Sequence, residues 1–391
     1  MLLYIIAMTS KSATTGIYIQ VPFCQTKCTY CNFHTGVFSP KLYSPYVDAV
    51  VTEINRAPLS APSAVVDTIY IGGGTPSLLE SSALASMIGA VRSHFQTAAN
   101  LEVTLEADPQ TITAAQSESW QQAGVNRVSL GVQSFDDAEL KASGRMHRSA
   151  DVAAAFSSLR QAGFTNISAD LIAGIPHQTP PSWQESLDQL RALRPEHISI
   201  YLMEIDVDSH LGAEVLSGGN RYSAQEIPSD DAMADSYERA CEVLAGAGYQ
   251  HYEISNWGLA GFWSRHNLKY WRRETYFGFG AGAHSFDGAR RWSNIHDPNA
   301  YVAAIQQSGT LHDQDEVLTP QQSLDEELFL GLRQLEGIVV SEIEARYQTN
   351  LRPRLAPLEA QGLLESEAGR TRLAASRLTI SNEVFTELLS D

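Results

Sequence analysis

An α/β fold is expected: a partial (β/α)6 barrel followed by a C-terminal, mainly helical, winged-helix-like domain. Up to about residue 255, short β-rich runs alternate with helical runs, and chemically distinctive residues fall where the β-rich runs end. This alternation indicates right-handed βαβ units and a parallel sheet. Roughly six such units are fewer than the eight of a closed barrel, so we expect the sheet to stay open.

The individual elements follow from periodicity, taken in chain order. Runs rich in branched and aliphatic residues predict strands at 16–21, 66–71, 101–105, 127–131, 166–172 and 197–202. Apolar residues at helical spacing predict helices at 46–56, 81–95, 113–123, 150–162, 181–193 and 230–247. Thr113 is expected to cap its helix, because a threonine hydroxyl accepts a hydrogen bond from a free backbone N–H of the first turn.

The alternation ends near residue 255 and divides the chain. We expect a disordered tail at 1–15, the barrel at 16–255, an aromatic- and glycine-rich segment at 256–310 and the C-terminal domain at 311–391. Short amphipathic helices followed by a small hairpin predict the winged-helix-like character of that last domain. The apolar run at 1–8 is too short for a secretory signal or a bilayer span, so no integral membrane segment is expected.

Composition limits the class of partner. Of the 391 residues, 43% are hydrophobic and 18% charged, as in an ordinary globular protein. Lys plus Arg total 27 against 45 Asp plus Glu, for a net charge of -18. From residue 320 onward there are seven Arg, no Lys and twelve Asp plus Glu. This negative charge argues against a nucleic-acid partner.

Three of the four cysteines, Cys24, Cys28 and Cys31, lie within eight residues directly after the first predicted strand. Soft thiolates select zinc or iron-sulfur clusters, and three ligands leave one position open. An odd number of clustered cysteines disfavours disulfides and fits a reducing cytosol. A structural zinc site with His34 as the fourth ligand stays open as an alternative. Cys241, inside a predicted helix, is expected to be a small buried side chain.

The C-x3-C-x2-C spacing, with Tyr30 just before the last cysteine, resembles the radical S-adenosylmethionine superfamily. The resemblance implies a 4Fe-4S cluster on Cys24, Cys28 and Cys31, with an open iron that chelates the amino and carboxylate groups of S-adenosylmethionine. It further implies an electron donor protein, since the superfamily's chemistry cleaves the sulfonium C–S bond only when an electron reaches the cluster.

Two further motifs follow predicted strands. The glycine run at 72–74 is either a tight turn or a place where the backbone approaches a ligand closely. Glu106 is either a solvated strand end or an acceptor for ribose hydroxyls or an ammonium group. Coming after the second strand of a chain with this cysteine loop, the glycine run resembles the superfamily motif that meets the amino end of S-adenosylmethionine.

Blocks around Gln133, Arg145 and Asp170 resemble the oxygen-independent coproporphyrinogen oxidase branch, and the resemblance covers about residues 16–390. Alone, each of these residues is an ordinary surface or capping residue. The resemblance implies that nine residues surround one or two molecules of S-adenosylmethionine: Tyr18, Tyr30, Gly73, Gly74, Thr75, Glu106, Gln133, Arg145 and Asp170.

The His-Asn-x-x-Tyr-Trp block at 266–271 resembles the heme chaperone HemW family within that branch. The oxidase usually carries another cysteine where this chain has Phe33, which favours the chaperone family. Gln20 is a departure, because relatives commonly have His there. The resemblance implies a protein that holds heme and hands it to an acceptor hemoprotein, and it leaves open whether the protein is an enzyme.

His266 offers an imidazole as an axial ligand for heme iron, and Tyr270 and Trp271 are positioned in sequence to flank a porphyrin face. The alternative is a core histidine hydrogen-bonded to its neighbours. His284 and His147 are rival ligands.

Three competing functions follow from the same motifs. The first is oxygen-independent coproporphyrinogen III oxidase, which removes a hydrogen atom from each of two propionates before decarboxylation. The second is a radical methyltransferase of the same architecture, which makes S-adenosylhomocysteine. The third is a zinc-stabilised binding module. We expect a cytoplasmic protein in every case.

Overall fold

The computed structural model describes residues 14–57 and 65–389. The predicted N-terminal tail lies outside the described residues up to position 13, and residues 14 and 15 already belong to the first strand.

Six parallel strands form the centre of the fold. They are β1 (Thr14–Val21), β2 (Val65–Gly73), β3 (Thr97–Ala107), β4 (Arg127–Gln133), β5 (Ile167–Ala173) and β6 (His197–Leu202). Each strand pairs in parallel with the next along the chain. The predicted order of six βα units is therefore confirmed.

Over residues 14–57 and 65–246, eight α-helices follow these strands along the chain. They are α1 (Tyr43–Arg56), α2 (Ser81–His94), α3 (Ala114–Ala123), α4 (Asp137–Ala142), α5 (Ser149–Gln161), α6 (Pro180–Leu193), α7 (His210–Leu216) and α8 (Asp230–Gly246). The Thr113 hydroxyl caps α3 by accepting a hydrogen bond from the Gln116 N–H, as predicted. The short helices α4 and α7 were not predicted, because neither is long enough to show a helical period.

Residues 250–317 widen the sheet at both edges. They form β7 (Gln250–Glu253), β8 (Asn256–Gly258), α9 (Arg265–Trp271), β9 (Tyr276–Phe279), β10 (His284–Phe286), β11 (Arg290–Asn294), α10 (Pro298–Gln307) and β12 (His312–Val317). The strand order is β12-β11-β10-β9-β1-β2-β3-β4-β5-β6-β8-β7. In the described ranges the edge strands β12 and β7 do not pair, so the barrel is open, as predicted.

The remainder forms a small module of helices and a three-stranded sheet. Its elements are α11 (Pro320–Arg333), β13 (Ile338–Val339), α12 (Val340–Tyr347), α13 (Arg352–Ala360), β14 (Leu364–Glu367), β15 (Arg370–Leu373) and α14 (Ser381–Leu389). Helices followed by a hairpin confirm the winged-helix-like prediction. The module docks beside β7, where the Ile254 N–H donates to the Arg333 carbonyl over 3.1 Å.

Across residues 14–57 and 65–389, none of the helices combines the length and the apolar character that a bilayer crossing requires.

A buried carboxylate fastens α1 to the loop between β9 and β10. Glu53 accepts hydrogen bonds from the Gly280 N–H at 2.8 Å, the Asn294 amide at 2.7 Å and the Tyr301 hydroxyl at 2.5 Å. Burial raises the pKa of Glu53 to about 7, although these three hydrogen bonds act to lower it. The Glu53 side chain thus joins α1 to three parts of the chain that lie more than 200 residues further along the sequence.

Replacing Glu53 with alanine is expected to lower the free energy of unfolding by about 3 kcal/mol or more. Three buried donors lose their acceptor, and an unpaired buried donor costs about 1–3 kcal/mol. Urea unfolding followed by circular dichroism measures the effect. Asp48→Ala, at an exposed position of the same helix, is the matched control. Equal changes in the two variants would contradict the role assigned to Glu53.

Candidate functional site

The cysteine loop begins where β1 ends and is fixed by backbone hydrogen bonds. The Cys24 N–H donates to the Gly36 carbonyl at 2.9 Å, and the Gly36 N–H donates to the Pro22 carbonyl at 3.0 Å. The Thr29 N–H donates to the Ser143 carbonyl at 3.1 Å, which ties the middle of the loop to the segment after α4. The loop therefore has a defined shape at the carboxyl end of the sheet, where ligand sites of parallel sheets lie.

The three thiols of the loop are unpaired and half-buried. Burial raises the pKa of the Cys24 thiol, although a hydrogen bond with Thr35 acts to lower it. Within the described parts of the chain, no group of three or more His, Cys, Asp or Glu side chains is arranged to hold a single metal ion. A tetrahedral zinc ion needs its sulfur ligands within about 2.3 Å of one point. An iron-sulfur cube, in contrast, takes its ligands at separate corners.

The glycine run at the end of β2 is in close contact with the cysteine loop. A Cβ atom on Gly74 would lie 2.5 Å from the Phe23 carbonyl oxygen and 3.0 Å from the Cys24 sulfur. The Phe23 carbonyl is held in place by the Thr75 N–H, which donates to it over 2.7 Å. Gly73 has a φ of 111°, a conformation that favours glycine. Only glycine therefore lets this turn support the cysteine loop.

Glu106 lies near the end of β3 and holds the same turn from the other side. Its carboxylate accepts hydrogen bonds from the Tyr70 hydroxyl at 2.7 Å and from the Gly73 N–H at 2.9 Å. Burial raises the pKa of Glu106 to about 7, with the hydrogen bonds from Tyr70 and Gly73 acting in the opposite direction. The side chain is thus a shielded carboxyl group poised to ionise when a cation approaches it.

Arg145 links the cysteine loop to the end of β3. Its guanidinium donates to the Asp108 carboxylate at 2.7 Å, to the Gly131 carbonyl at 2.8 Å and to the Cys28 sulfur at 3.6 Å. Burial opposes ionisation of Asp108, but the hydrogen bond from His147 and the charge of Arg145 outweigh it and lower the pKa of the Asp108 carboxyl. The group places a fixed positive charge beside a candidate cluster ligand.

Asp108 is a site residue that sequence reasoning missed, and its neighbour His147 was considered only as a rival heme ligand. His147 lies 3.5 Å from the Asp108 carboxylate and 3.0 Å from the Val132 carbonyl. The only signal was their position, since Asp108 follows a strand and His147 follows Arg145 by two residues.

A cavity of about 840 Å³ opens at this end of the barrel. It is lined by all three clustered cysteines and by eight of the nine predicted S-adenosylmethionine residues; Tyr18 alone does not line it. The described lining also includes residues 378–383, so the C-terminal module forms part of the wall. Drug-sized ligands occupy cavities of about 300–1,000 Å³, so the volume suits a nucleoside-sized molecule.

Tyr18 does not line the cavity, but it contacts Gln20, which in turn supports the cavity wall at Gly73. The Tyr18 hydroxyl donates to the Gln20 side-chain oxygen at 2.6 Å. That amide packs against Gly73, where an added Cβ would lie 2.5 Å from it. Gln20 therefore supports the glycine turn.

Three buried polar atoms on the cavity wall have no partner among the described residues: Gln133 Oε1, Arg145 Nε and Asp170 Oδ1. Two are acceptors, suited to hydroxyl or ammonium groups, and one is a donor, suited to a carboxylate. Burial raises the pKa of Asp170 to about 6, against hydrogen bonds from Ser199 and Ser129. Because S-adenosylmethionine carries all three kinds of group, the residues present fit it.

His266 lies at the opposite end of the barrel, on α9. It is fully buried, and its ring nitrogens lie 2.8 Å from the Thr68 hydroxyl and 2.8 Å from the Tyr270 hydroxyl. Burial, and then the charges of Lys269 and Arg127, lower the pKa of His266 to about 3. His266, Tyr270 and Trp271 do not line the cavity. For His266 to bind iron, one of its ring nitrogens would have to give up its hydrogen-bond partner.

Comparisons with known proteins agree with this site. The Radical SAM superfamily model matches residues 18–190, and the HemN C-terminal domain model matches residues 318–375. The Heme chaperone HemW of Lactococcus lactis is 32% identical over 378 residues, covering 96% of this chain and 97% of that protein. The Heme chaperone HemW of Escherichia coli is 36% identical over 278 residues, covering 70% of each chain.

One solved structure shares the whole architecture. The coproporphyrinogen III oxidase HemN of Escherichia coli superposes with a TM-score of 0.81, covering 96% of this chain and 90% of that one. The two sequences are 23% identical, so this likeness shows the fold alone.

Proposed function

We propose that this chain, which belongs to the HemW family of radical S-adenosylmethionine proteins, is a cytoplasmic heme chaperone. It binds heme and transfers it to an acceptor hemoprotein. The family resemblance of the motifs is thereby confirmed. The single observation that carries the function is the similarity to curated heme chaperones over nearly the full length of both chains.

Cys24, Cys28 and Cys31 would hold a 4Fe-4S cluster, and the cavity wall beside them would hold S-adenosylmethionine. Bound together, the cluster and S-adenosylmethionine supply reductive cleavage of a sulfonium C–S bond once an electron donor protein provides the electron. Arg145 stabilises the negative charge of the Cys28 thiolate through its 3.6 Å contact. Glu106 and Asp170 present carboxyl groups that bind a cation better when they are ionised.

S-adenosylmethionine affinity is expected to increase from about pH 6 to about pH 8. The pKa of Glu106 is raised to about 7, so the carboxyl is neutral below that pH and anionic above it. A cationic ligand binds the anion more tightly, by up to about tenfold for each pH unit below the pKa. Equilibrium dialysis of the reconstituted protein at several pH values measures the trend.

Glu106→Gln is the matched variant for the pH series, because it keeps the side-chain shape and removes the titration. Its affinity should be weaker, with a flatter pH profile. A variant profile that parallels the original would assign the pH dependence to another group, such as the amino group of the ligand.

Spectroscopic titration with heme tests the proposed function. The anaerobically reconstituted protein should bind heme saturably, and it should form no protoporphyrinogen from coproporphyrinogen III in the presence of S-adenosylmethionine and a reductant. Failure to bind heme, together with protoporphyrinogen formation, would instead support the oxidase. His266→Ala belongs in the same titration, because heme ligation by His266 stays a prediction that this variant tests directly.

A further inference from the structure

The eleven histidines differ in whether their ring nitrogens are already engaged. All lie in the described part of the chain. Ring nitrogens have hydrogen-bond or ion-pair partners in His94, His147, His177, His197, His251, His266 and His312. Among the described residues, no such partner exists for the rings of His34, His210, His284 and His296. These four are the histidines in which neither ring nitrogen has such a partner, so either nitrogen can take a ligand without breaking a bond.

Three of the four lie together beside the cysteine loop. His34 follows Cys31 by three residues, His284 begins β10 and His296 follows β11. The ring centroids of His34 and His296 are 4.2 Å apart. His284 is close enough for its charge to interact with both. Residues more than 240 positions apart in the chain are thus brought to one surface patch.

Two of these imidazoles, His34 and His284, have a pKa below the usual value, which favours the neutral form that binds metals. Burial, then the charges of His296 and Lys27, lower the pKa of His34. Burial, then the charges of His296, Arg291 and His34, lower the pKa of His284. Neutral imidazole has a free nitrogen lone pair, whereas the protonated ring has none.

The residues around these histidines suit the other two parts of a heme molecule, its apolar porphyrin face and its anionic propionates. Phe33 and Val37, on either side of His34 in the loop, are 66% and 64% exposed and offer apolar contact for a porphyrin face. The charge of Lys27 acts on His34, so Lys27 lies near the patch. Because Lys27 forms no ion pair within the described chain, its ammonium group is available to a heme propionate. In a chain of net charge -18, a free cation beside exposed apolar side chains and imidazoles is a distinctive combination.

Among the residues that the structure describes, the main cavity offers no histidine that could ligate heme iron, whereas the surface patch offers three. None of its described lining residues is a histidine, and His266 is buried at the far end of the barrel. Phe33 borders both places, because it lines the cavity and precedes His34. A heme on the patch would therefore lie beside the cavity mouth and leave the cavity itself to S-adenosylmethionine.

We propose that heme binds on the surface patch formed by His34, His284, His296, Phe33 and Val37, with its iron coordinated by an imidazole of the His34–His296 pair. This inference rests on the proposed function and adds the location of the cargo. A surface location lets an acceptor hemoprotein reach the heme without the barrel opening.

The test is a titration of the reconstituted full-length chain with ferric heme, followed by visible and electron paramagnetic resonance spectra. The variants are His296→Ala and His34→Ala/His296→Ala, with His210→Ala as the matched control at an exposed histidine outside the patch. The double variant is expected to lose at least tenfold in heme affinity and to lose the imidazole-ligated spectrum, whereas His210→Ala should match the original chain. Iron and sulfide analysis shows whether His34→Ala has disturbed the cysteine loop, and His296→Ala avoids that loop entirely.

Several outcomes would overturn the inference. Unchanged heme affinity and spectrum in the double variant would do so, as would loss of the imidazole signature only in His266→Ala. Zinc titration by calorimetry provides a further check: zinc binding that disappears in the double variant while heme binding persists would make the patch a cation site instead. If the original chain binds no heme at all, the proposed function fails, and this result is distinguishable from the others.

Discussion

Cys28→Ser is expected to abolish cluster assembly, reducing iron from about four atoms per chain to a small fraction of that and removing the broad absorption near about 400 nm. Cys28, Cys24 and Cys31 are the only cysteines on the loop, so no spare thiolate exists there. Serine keeps the size of the side chain but is a hard oxygen ligand, poorly matched to iron-sulfur clusters. Anaerobic reconstitution followed by iron analysis and a visible spectrum measures the effect.

Cys241→Ser provides the matched control for that experiment. Cys241 is the fourth cysteine, lies in α8 and does not line the cavity. Its substitution should leave iron content and the spectrum unchanged. Equal iron content in the Cys28 and Cys241 variants would show that the cysteine loop does not hold the cluster.

Gly74→Ala is expected to weaken S-adenosylmethionine binding more than tenfold and to lower cluster content. The new Cβ would lie 2.5 Å from the Phe23 carbonyl oxygen, a distance that real Cβ atoms essentially never show. The obstacle is backbone already held by Thr75, so relief requires the loop carrying Cys24 to move. A displacement of about 1 Å at such a site is enough to cost about two orders of magnitude in function.

Gly89→Ala is the matched control for Gly74→Ala. Gly89 lies inside α2, and a Cβ added there meets no atom within 4 Å. It should leave ligand binding unchanged and favour the helix, because alanine has the higher helix propensity. If both variants bind S-adenosylmethionine like the original chain, the glycine turn does not support the cysteine loop as described.

The central barrel was predictable because its signals are local. A strand such as β6 is a run of apolar residues ended by polar ones, and the predicted 197–202 coincides with the observed His197–Leu202. The positions of the strand ends also predicted which side chains lie close together, because the carboxyl ends of parallel strands lie at the same edge of the sheet. Cys24, Gly74, Glu106 and Asp170 accordingly line one cavity.

The segment at 256–310 was not predictable in the same way. β9 pairs in parallel with β1 although about 260 residues separate them, and the strand itself is only four residues long. A short strand of this kind carries no period of its own and is stabilised by its neighbours. The same long-range pairing brings His296 against His34, which no local pattern indicates.

His266 illustrates a residue whose motif was visible but whose location was not. The sequence showed a His, a Tyr and a Trp within six residues, and the structure places all three on α9. The sequence could not show that α9 packs against the amino-terminal part of the barrel strands, where His266 is hydrogen-bonded to Thr68 of β2. That placement depends on tertiary packing, as do the contacts of Arg145 with Asp108 and Cys28.

Heme retention and transfer test the central claim most directly. The reconstituted protein is mixed with heme under anaerobic conditions, freed of excess heme by gel filtration, and then mixed with apomyoglobin as a heme acceptor while the visible spectrum is recorded. We expect about one heme per chain to co-elute with the iron-sulfur protein and then to appear in the spectrum of the acceptor. A protein that emerges without heme, and that instead converts coproporphyrinogen III to protoporphyrinogen, would contradict the account.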